Sequence, residues 1–147
     1  MTRRFALLAA CLVALSVASA GAQKAQYRAR LSPVPLDVAM QATIAGSGSV
    51  TAALNGTTLT LSGNYAGLQT ASTVARVHRG PRTAMRGPAI GDLTIAPGTS
   101  GTIAGTLELT KEQVEDLANG RLYIQLHSEK APEGNLWGWL FIHEGKK

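Results

Sequence analysis

Three histidines, four clustered arginines and a tryptophan pair are the side chains in this 147-residue sequence whose type and spacing invite chemistry. His78, His127 and His143 are its only imidazoles. Neutral imidazole is a common ligand of copper and zinc, so His78 and His127 could share an ion if neighbouring strands brought them together. A catalytic zinc site needs about three protein ligands and an open position. The sequence has no HxH or HExxH spacing and supplies no sure third ligand. No metal ligand is therefore assigned, and solvent-facing or hydrogen-bonded structural histidines are the preferred reading. A nitrogen separation beyond about 5 Å, with no third ligand, would argue against a shared ion.

Arg76, Arg79, Arg82 and Arg86 crowd around His78. Guanidinium groups bind phosphate, sulfate or carboxylate in a bidentate manner, which makes this segment a candidate polyanion edge. The plainer alternative is a solvated loop that keeps a strand edge from pairing with another molecule. Nucleic acid is not expected as a partner, because the only two tryptophans share one strand and leave no spaced stacking platforms. Trp137 and Trp139 stand two residues apart, with Phe141 continuing the stripe. Leu136, Gly138, Leu140 and Ile142 alternate with them, so the strand is apolar on both faces. Such a strand is central or touches a partner, and burial within the chain is the reading preferred here.

Hydrolytic chemistry finds no footing. There is no GxSxG elbow. Asp37 and Asp92 are isolated, and Glu108, Glu112, Glu115 and Asp116 gather around one helix, where nothing selects a glycosidase pair.

These side chains must be positioned by one domain, because 147 residues leave little room for two. The first residues are expected to be a secretory leader. Arg3 and Arg4 precede an apolar run from Phe5 to Ala18, followed by small-x-small cleavage sites ending at Ala20 and Ala22. The run is shorter than the roughly 20 residues of a membrane span. Leu8-Ala9-Ala10-Cys11 resembles a lipidation box, but cleavage there would leave an apolar start to the mature chain, so Cys11 is read as part of the leader. Signal peptide 1–22 and domain 23–147 are the expected division, with no transmembrane anchor after cleavage and an exported destination, periplasmic or extracellular. Export permits disulfides, yet the only cysteine leaves with the leader. The net charge of +5 falls to about +3 once Arg3 and Arg4 are gone.

The domain reads as all-β. Tyr27-Arg28-Ala29-Arg30-Leu31 alternates with both arginines outward, and Pro33 and Pro35 end the run. Asn55-Gly56 sits between two alternating segments, the strongest short hairpin signal. Thr73 to His78, Ala89 to Ile95, Thr102 to Leu109, Leu122 to His127 and Leu136 to Ile142 supply further strands, with a turn expected at Ala131 to Gly134. One helix is convincing: Thr110 and Gln113 form a capping box, Val114 and Leu117 face inward, and Gly120 stops it. Seven to eight such strands with one short helix suggest an antiparallel Greek-key β-sandwich.

Laid in order, these segments resemble the chordin-type CHRD domain from about Tyr27 to Ile142. The likeness is carried by the first strand, by Thr73-Val74-Ala75-Arg76-Val77-His78-Arg79-Gly80-Pro81, by the helix and Leu122-Tyr123-Ile124-Gln125-Leu126-His127-Ser128, and by the stretch from Ala131 to Leu140. The resemblance implies an extracellular or exported binding or structural module rather than an enzyme. Three positions depart from the family's pattern: Arg76 replaces its first histidine, Asn135 a glutamate and Trp137 an arginine. If the usual polar set forms a site, this chain keeps the scaffold and alters the site. The sequence thus favours a non-catalytic module with an anionic ligand or a protein as partner, and no cofactor. Its candidate binding residues are His78, His127, Arg76, Arg79, Arg82 and Trp137. The rival is a copper- or zinc-binding sandwich of the superoxide-dismutase kind.

Overall fold

A computed structural model describes residues 24–144; the leader assigned to residues 1–22 lies outside them. Apolar alternation becomes nine antiparallel strands: β1 Ala25–Leu31, β2 Ser47–Asn55, β3 Thr58–Ala66, β4 Ser72–Arg79, β5 Ala89–Ile95, β6 Gly101–Glu108, β7 Leu122–Ser128, β8 Ala131–Trp139 and β9 Phe141–Ile142. Among the described residues a single α-helix, α1 (Lys111–Ala118), joins β6 to β7, and a 3-10 turn, Ala39–Ala42, lies between β1 and β2. The Asn55-Gly56 turn joins β2 to β3 as expected. The capping box is present too: Gln113 N–H donates to Thr110 Oγ1 at 3.2 Å, and Thr110 N–H donates to Gln113 Oε1 at 2.9 Å.

The strand order is β8-β7-β4-β5-β6-β3-β2-β1-β9. Strands β4, β5 and β6 are consecutive neighbours, and β7 returns beside β4, which is a Greek-key connection. The two separate layers of a sandwich do not form. The final run of chain pairs with both ends of the sheet: β8 lies along β7, whereas β9 lies along β1 through Tyr27↔Ile142 and Arg28↔Phe141. Ser32 and Trp137 extend this second ladder with reciprocal backbone hydrogen bonds of 3.0 Å. The result is one sheet rolled into a nearly closed barrel, which removes its exposed edges.

Alternation alone does not distinguish these architectures, because both bury one face of every strand. The decision falls at Gly138, where a Cβ would stand 2.5 Å from the Arg30 carbonyl oxygen. Only glycine lets the β1 backbone come that close. The ninth strand arises because Leu140 interrupts the last run, donating its N–H to the Leu122 carbonyl at 2.9 Å.

The barrel interior is filled from the inward positions of β1 to β8, among them Ala29, Leu31, Leu61, Val77, Ile124 and Leu136, all at most 1% exposed. Leu117 of α1 joins the same core. Each fully buried leucine or isoleucine contributes about 1.5–3 kcal/mol. A register irregularity between Ser72 and Val74 turns Ser72 inward and leaves Thr73 exposed. One expectation shifts locally. Ala131 to Gly134 belongs to β8 rather than to a turn. Here the carbonyls of Pro132 and Glu133 accept side-chain bonds from His127 and Gln125, replacing ladder bonds where the register with β7 shifts.

Candidate functional site

The inward positions of β4, β7 and β8 are apolar, so their remaining residues share the outer face. Register places them in cross-strand rows: His78, Tyr123 and Trp139 in one, Arg76, Gln125 and Trp137 in the next, and Val74 beside His127 in a third. An outer face would ordinarily meet water, but this one is covered. Tyr123, Gln125 and Trp137 are at most 2% exposed.

The cover is the loop 80–88. Gly87 is fixed from both sides: its N–H donates to the Tyr123 hydroxyl at 3.1 Å, and its carbonyl accepts from His78 Nδ1 at 2.9 Å. Thr83 Oγ1 donates to the Gly120 carbonyl at 2.9 Å. Arg86 lays its guanidinium 4.6 Å from the centre of the Trp137 ring, a cation–π contact. Beneath the loop, Tyr123 stacks on His78 at 5.0 Å and on Trp139 at 4.9 Å between ring centres. Gly134 (φ +125°) completes the enclosure, since a Cβ there would meet Gln125 Nε2 and the Trp137 ring within 2.6 Å.

Both imidazoles in this layer are held in the same way. His78 donates Nδ1–H to the Gly87 carbonyl, and His127 donates Nδ1–H to the Pro132 carbonyl at 2.8 Å. A carbonyl can only accept, so the proton sits on Nδ1 in each ring and Nε2 carries the lone pair. Burial pushes the pKa of each below the ordinary 6.5. The Arg76 and Arg86 charges depress both further, against the opposing effect of the carbonyl bonds. The rings are therefore neutral acceptors at pH 7. Their Nε2 atoms, Gln125 Oε1 and the Nε1 atoms of Trp137 and Trp139 are all buried without a hydrogen-bond partner among the described residues.

The arginines of the segment are separated by their roles. Arg76 pairs with Asp92 at 2.8 Å, and Arg79 pairs with Glu112 and the buried Asp116 of α1. The Glu112 hydrogen bond is the main cause of a raised Arg79 pKa. Arg82 is exposed and has no carboxylate partner among the described residues. The structure thus brings His78, His127, Arg76 and Trp137 to one face with Arg86 above them, sets Arg79 toward the helix and leaves Arg82 on the loop surface.

A metal ion fits this face poorly. Fixing Nδ1 on a carbonyl while freeing Nε2 is how ligand histidines are oriented. However, His78 and His127 are offset by four residues across β4 and β7, roughly 13 Å along the strands. No group of three His, Cys, Asp or Glu residues able to hold an ion occurs among the described residues. Two guanidinium groups beside the imidazoles further disfavour a cation. Among the described residues, neither Nε2 is hydrogen-bonded to a hydroxyl, thiol or carboxylate.

The CHRD domain family matches residues 27–140, nearly the whole described chain. The chain belongs to the CHRD domain family. No match is found among curated proteins or among solved structures. In this CHRD domain, Arg76 and Trp137, two of the departures noted in sequence, fall in one cross-strand row with Gln125 between them. Sequence reading passed over Tyr123, Gln125 and Gly87, which organise the layer. The signal was available on β7, where Leu122, Ile124 and Leu126 define the inward face and leave Tyr123, Gln125 and His127 together on the other.

Proposed function

We propose that this CHRD domain is an exported, non-catalytic binding module that takes a small hydroxylated anion on the outer face of β4, β7 and β8. One observation carries the reading: acceptors and donors from three adjacent strands lie along that one face, buried and without partners among the described residues. Buried polar groups without partners are few in native proteins. Ligand hydroxyls can donate to the His78 and His127 Nε2 atoms and to Gln125 Oε1, and can accept from the tryptophan Nε1–H groups. Arg76 and Arg86 supply the positive charge that suits an anion. Export rests on the leader pattern at residues 1–22.

The test is an imidazole-detected ¹H–¹⁵N NMR titration of the mature chain with a heparin-derived disaccharide, which carries hydroxyl, carboxylate and sulfate groups. Saturable shifts at the Nε2 resonances of His78 and His127 are expected. Silence at both would overturn the proposal. The copper- or zinc-binding alternative draws support only from the Nδ1-fixed rings. Tight stoichiometric binding of either metal, displacing those same resonances, would establish it instead.

A further inference from the structure

Across Trp139 from the histidine layer, where β1 meets β8 and β9, the barrel surface carries a groove of about 510 Å³. This volume lies within the roughly 300–1,000 Å³ of small-molecule sites. Its apolar wall includes Val34, Trp139, Phe141 and Ile142. Phe141 is 52% and Ile142 64% exposed, although both belong to a strand. Large apolar side chains left open beside a concavity mark a site of binding.

The opposite wall is cationic. Arg28 and Arg30 project outward from β1 and have no carboxylate partner among the described residues. They also border a second groove of about 520 Å³, on the far side of β1, whose lining includes Ser47, Ser49 and Asn64. The two arginines therefore form a ridge between an aromatic, apolar channel and a hydroxyl- and amide-lined one. The two sides make different demands on a ligand. An apolar chain is favoured on the β9 side, while a charged head at the ridge stays hydrated by the β2–β3 side.

We propose that this ridge and groove bind a single-chain amphiphile with a carboxylate head, of the fatty-acid class. The alkyl chain lies against Trp139, Phe141 and Ile142, and the carboxylate accepts charge-assisted hydrogen bonds from Arg28 and Arg30. The groove shares Trp137 and Trp139 with the face assigned to the hydroxylated anion, but its charged ridge, Arg28 and Arg30, stands on β1 and takes no part in that reading.

The test is calorimetry and tryptophan fluorescence of the mature chain with dodecanoate below its micelle concentration. Dodecanol and dodecyltrimethylammonium serve as neutral and cationic comparisons. Saturable one-to-one binding of dodecanoate is expected, with both comparisons weaker. The double variant Arg28→Ala/Arg30→Ala should weaken dodecanoate at least about tenfold, since charged hydrogen bonds are lost, and leave dodecanol unchanged. Ile142→Ser should weaken both. His127→Ala should change neither, which separates this result from the fate of the anion site. Both arginines are exposed, so their replacement leaves the core intact, as circular dichroism would check. Absent saturation, equal affinity for the cationic amphiphile, or unchanged affinity in the double variant each overturns the proposal. So does binding only to anionic phosphatidylglycerol vesicles, which would mark a membrane-surface patch instead.

Discussion

His78 gives its Nδ1–H to the carbonyl of Gly87 at 2.9 Å, and this one bond joins β4 to the loop that roofs its outer face. The same glycine donates its N–H to the Tyr123 hydroxyl, so strand, loop and β7 meet at a single residue. Fixing the ring there decides its tautomer, and the tautomer makes Nε2 an acceptor. His127 repeats the device on Pro132. The layer is thus built from neutral imidazoles held in place by backbone, with cationic arginines nearby that discourage protonation.

That arrangement sets a pH dependence. Both histidines have folded pKa values below the ordinary 6.5, chiefly through burial. As pH falls through about 6.5, the unfolded chain takes up protons that the folded chain resists, so stability declines on acidification. Urea midpoints should fall between pH 7.5 and 5.5. The fall should be smaller in His78→Gln/His127→Gln, which has nothing left to protonate in this layer. An unchanged slope in the double variant would remove the histidines from the account.

Asp116 ties Arg79, at the end of β4, to Arg121, just after α1. Its carboxylate is buried, receives Arg121 at 3.0 Å and pairs with Arg79. Replacing it by alanine leaves both arginines partly solvated, so the loss is that of charge-assisted hydrogen bonds rather than of a stranded buried charge. Asp116→Ala should cost about 1.5–3 kcal/mol in chemical denaturation. Arg121→Ala, at a half-exposed partner, should cost distinctly less. Equal effects would mean that the carboxylate is not the shared anchor.

Much of this fold was readable from local chemistry. The Asn55-Gly56 turn, the Thr110–Gln113 box and the bounds of β5 at Ala89 and Ile95 follow from turn propensity, capping and alternation. Barrel closure was not readable. It depends on which strand the last run chooses, and the residue that permits the choice, Gly138, looks in sequence like any other small residue on an apolar face. The site was half visible. His78, His127, Arg76 and Trp137 drew notice by type, but their convergence depends on register between β4, β7 and β8. The irregularities near Ser72 and Leu126 could not be counted from the sequence.

Asn135 explains one family departure physically. It is fully buried, accepts from Ala45 N–H at 3.2 Å through Oδ1, and donates from Nδ2 to the Ala45 carbonyl at 3.0 Å. A carboxylate at this position can only accept. Asn135→Asp should therefore leave the Ala45 carbonyl unpaired and bury a charge, costing more than about 2 kcal/mol at pH 7.5. The buried aspartic acid would have a raised pKa, so the folded variant holds a proton that the unfolded chain releases above about pH 4. Its deficit should shrink as pH falls toward 4.5, where the protonated acid can donate. This trend is opposite in sign to that of the histidines, and paired denaturation curves at the two pH values separate them.

Closure of the barrel provides the most direct mechanical test. Gly138 stands where β8 turns from its ladder with β7 toward the β1 backbone, and a Cβ there would lie 2.5 Å from the Arg30 carbonyl oxygen and 2.7 Å from Leu31 Cδ2. A backbone oxygen cannot rotate away as a side chain can, so the seam must open or shift to admit even one methyl group. Gly138→Ala should cost about 1–3 kcal/mol, the range for overpacking a tight interior. Amide exchange should quicken first at Ser32 and Trp137, whose reciprocal bonds close the seam. The hairpin of β2 and β3 lies away from that contact and should keep its protection. Uniform loss of protection across all strands would instead show that the barrel opens only by global unfolding, with the seam no weaker than the rest.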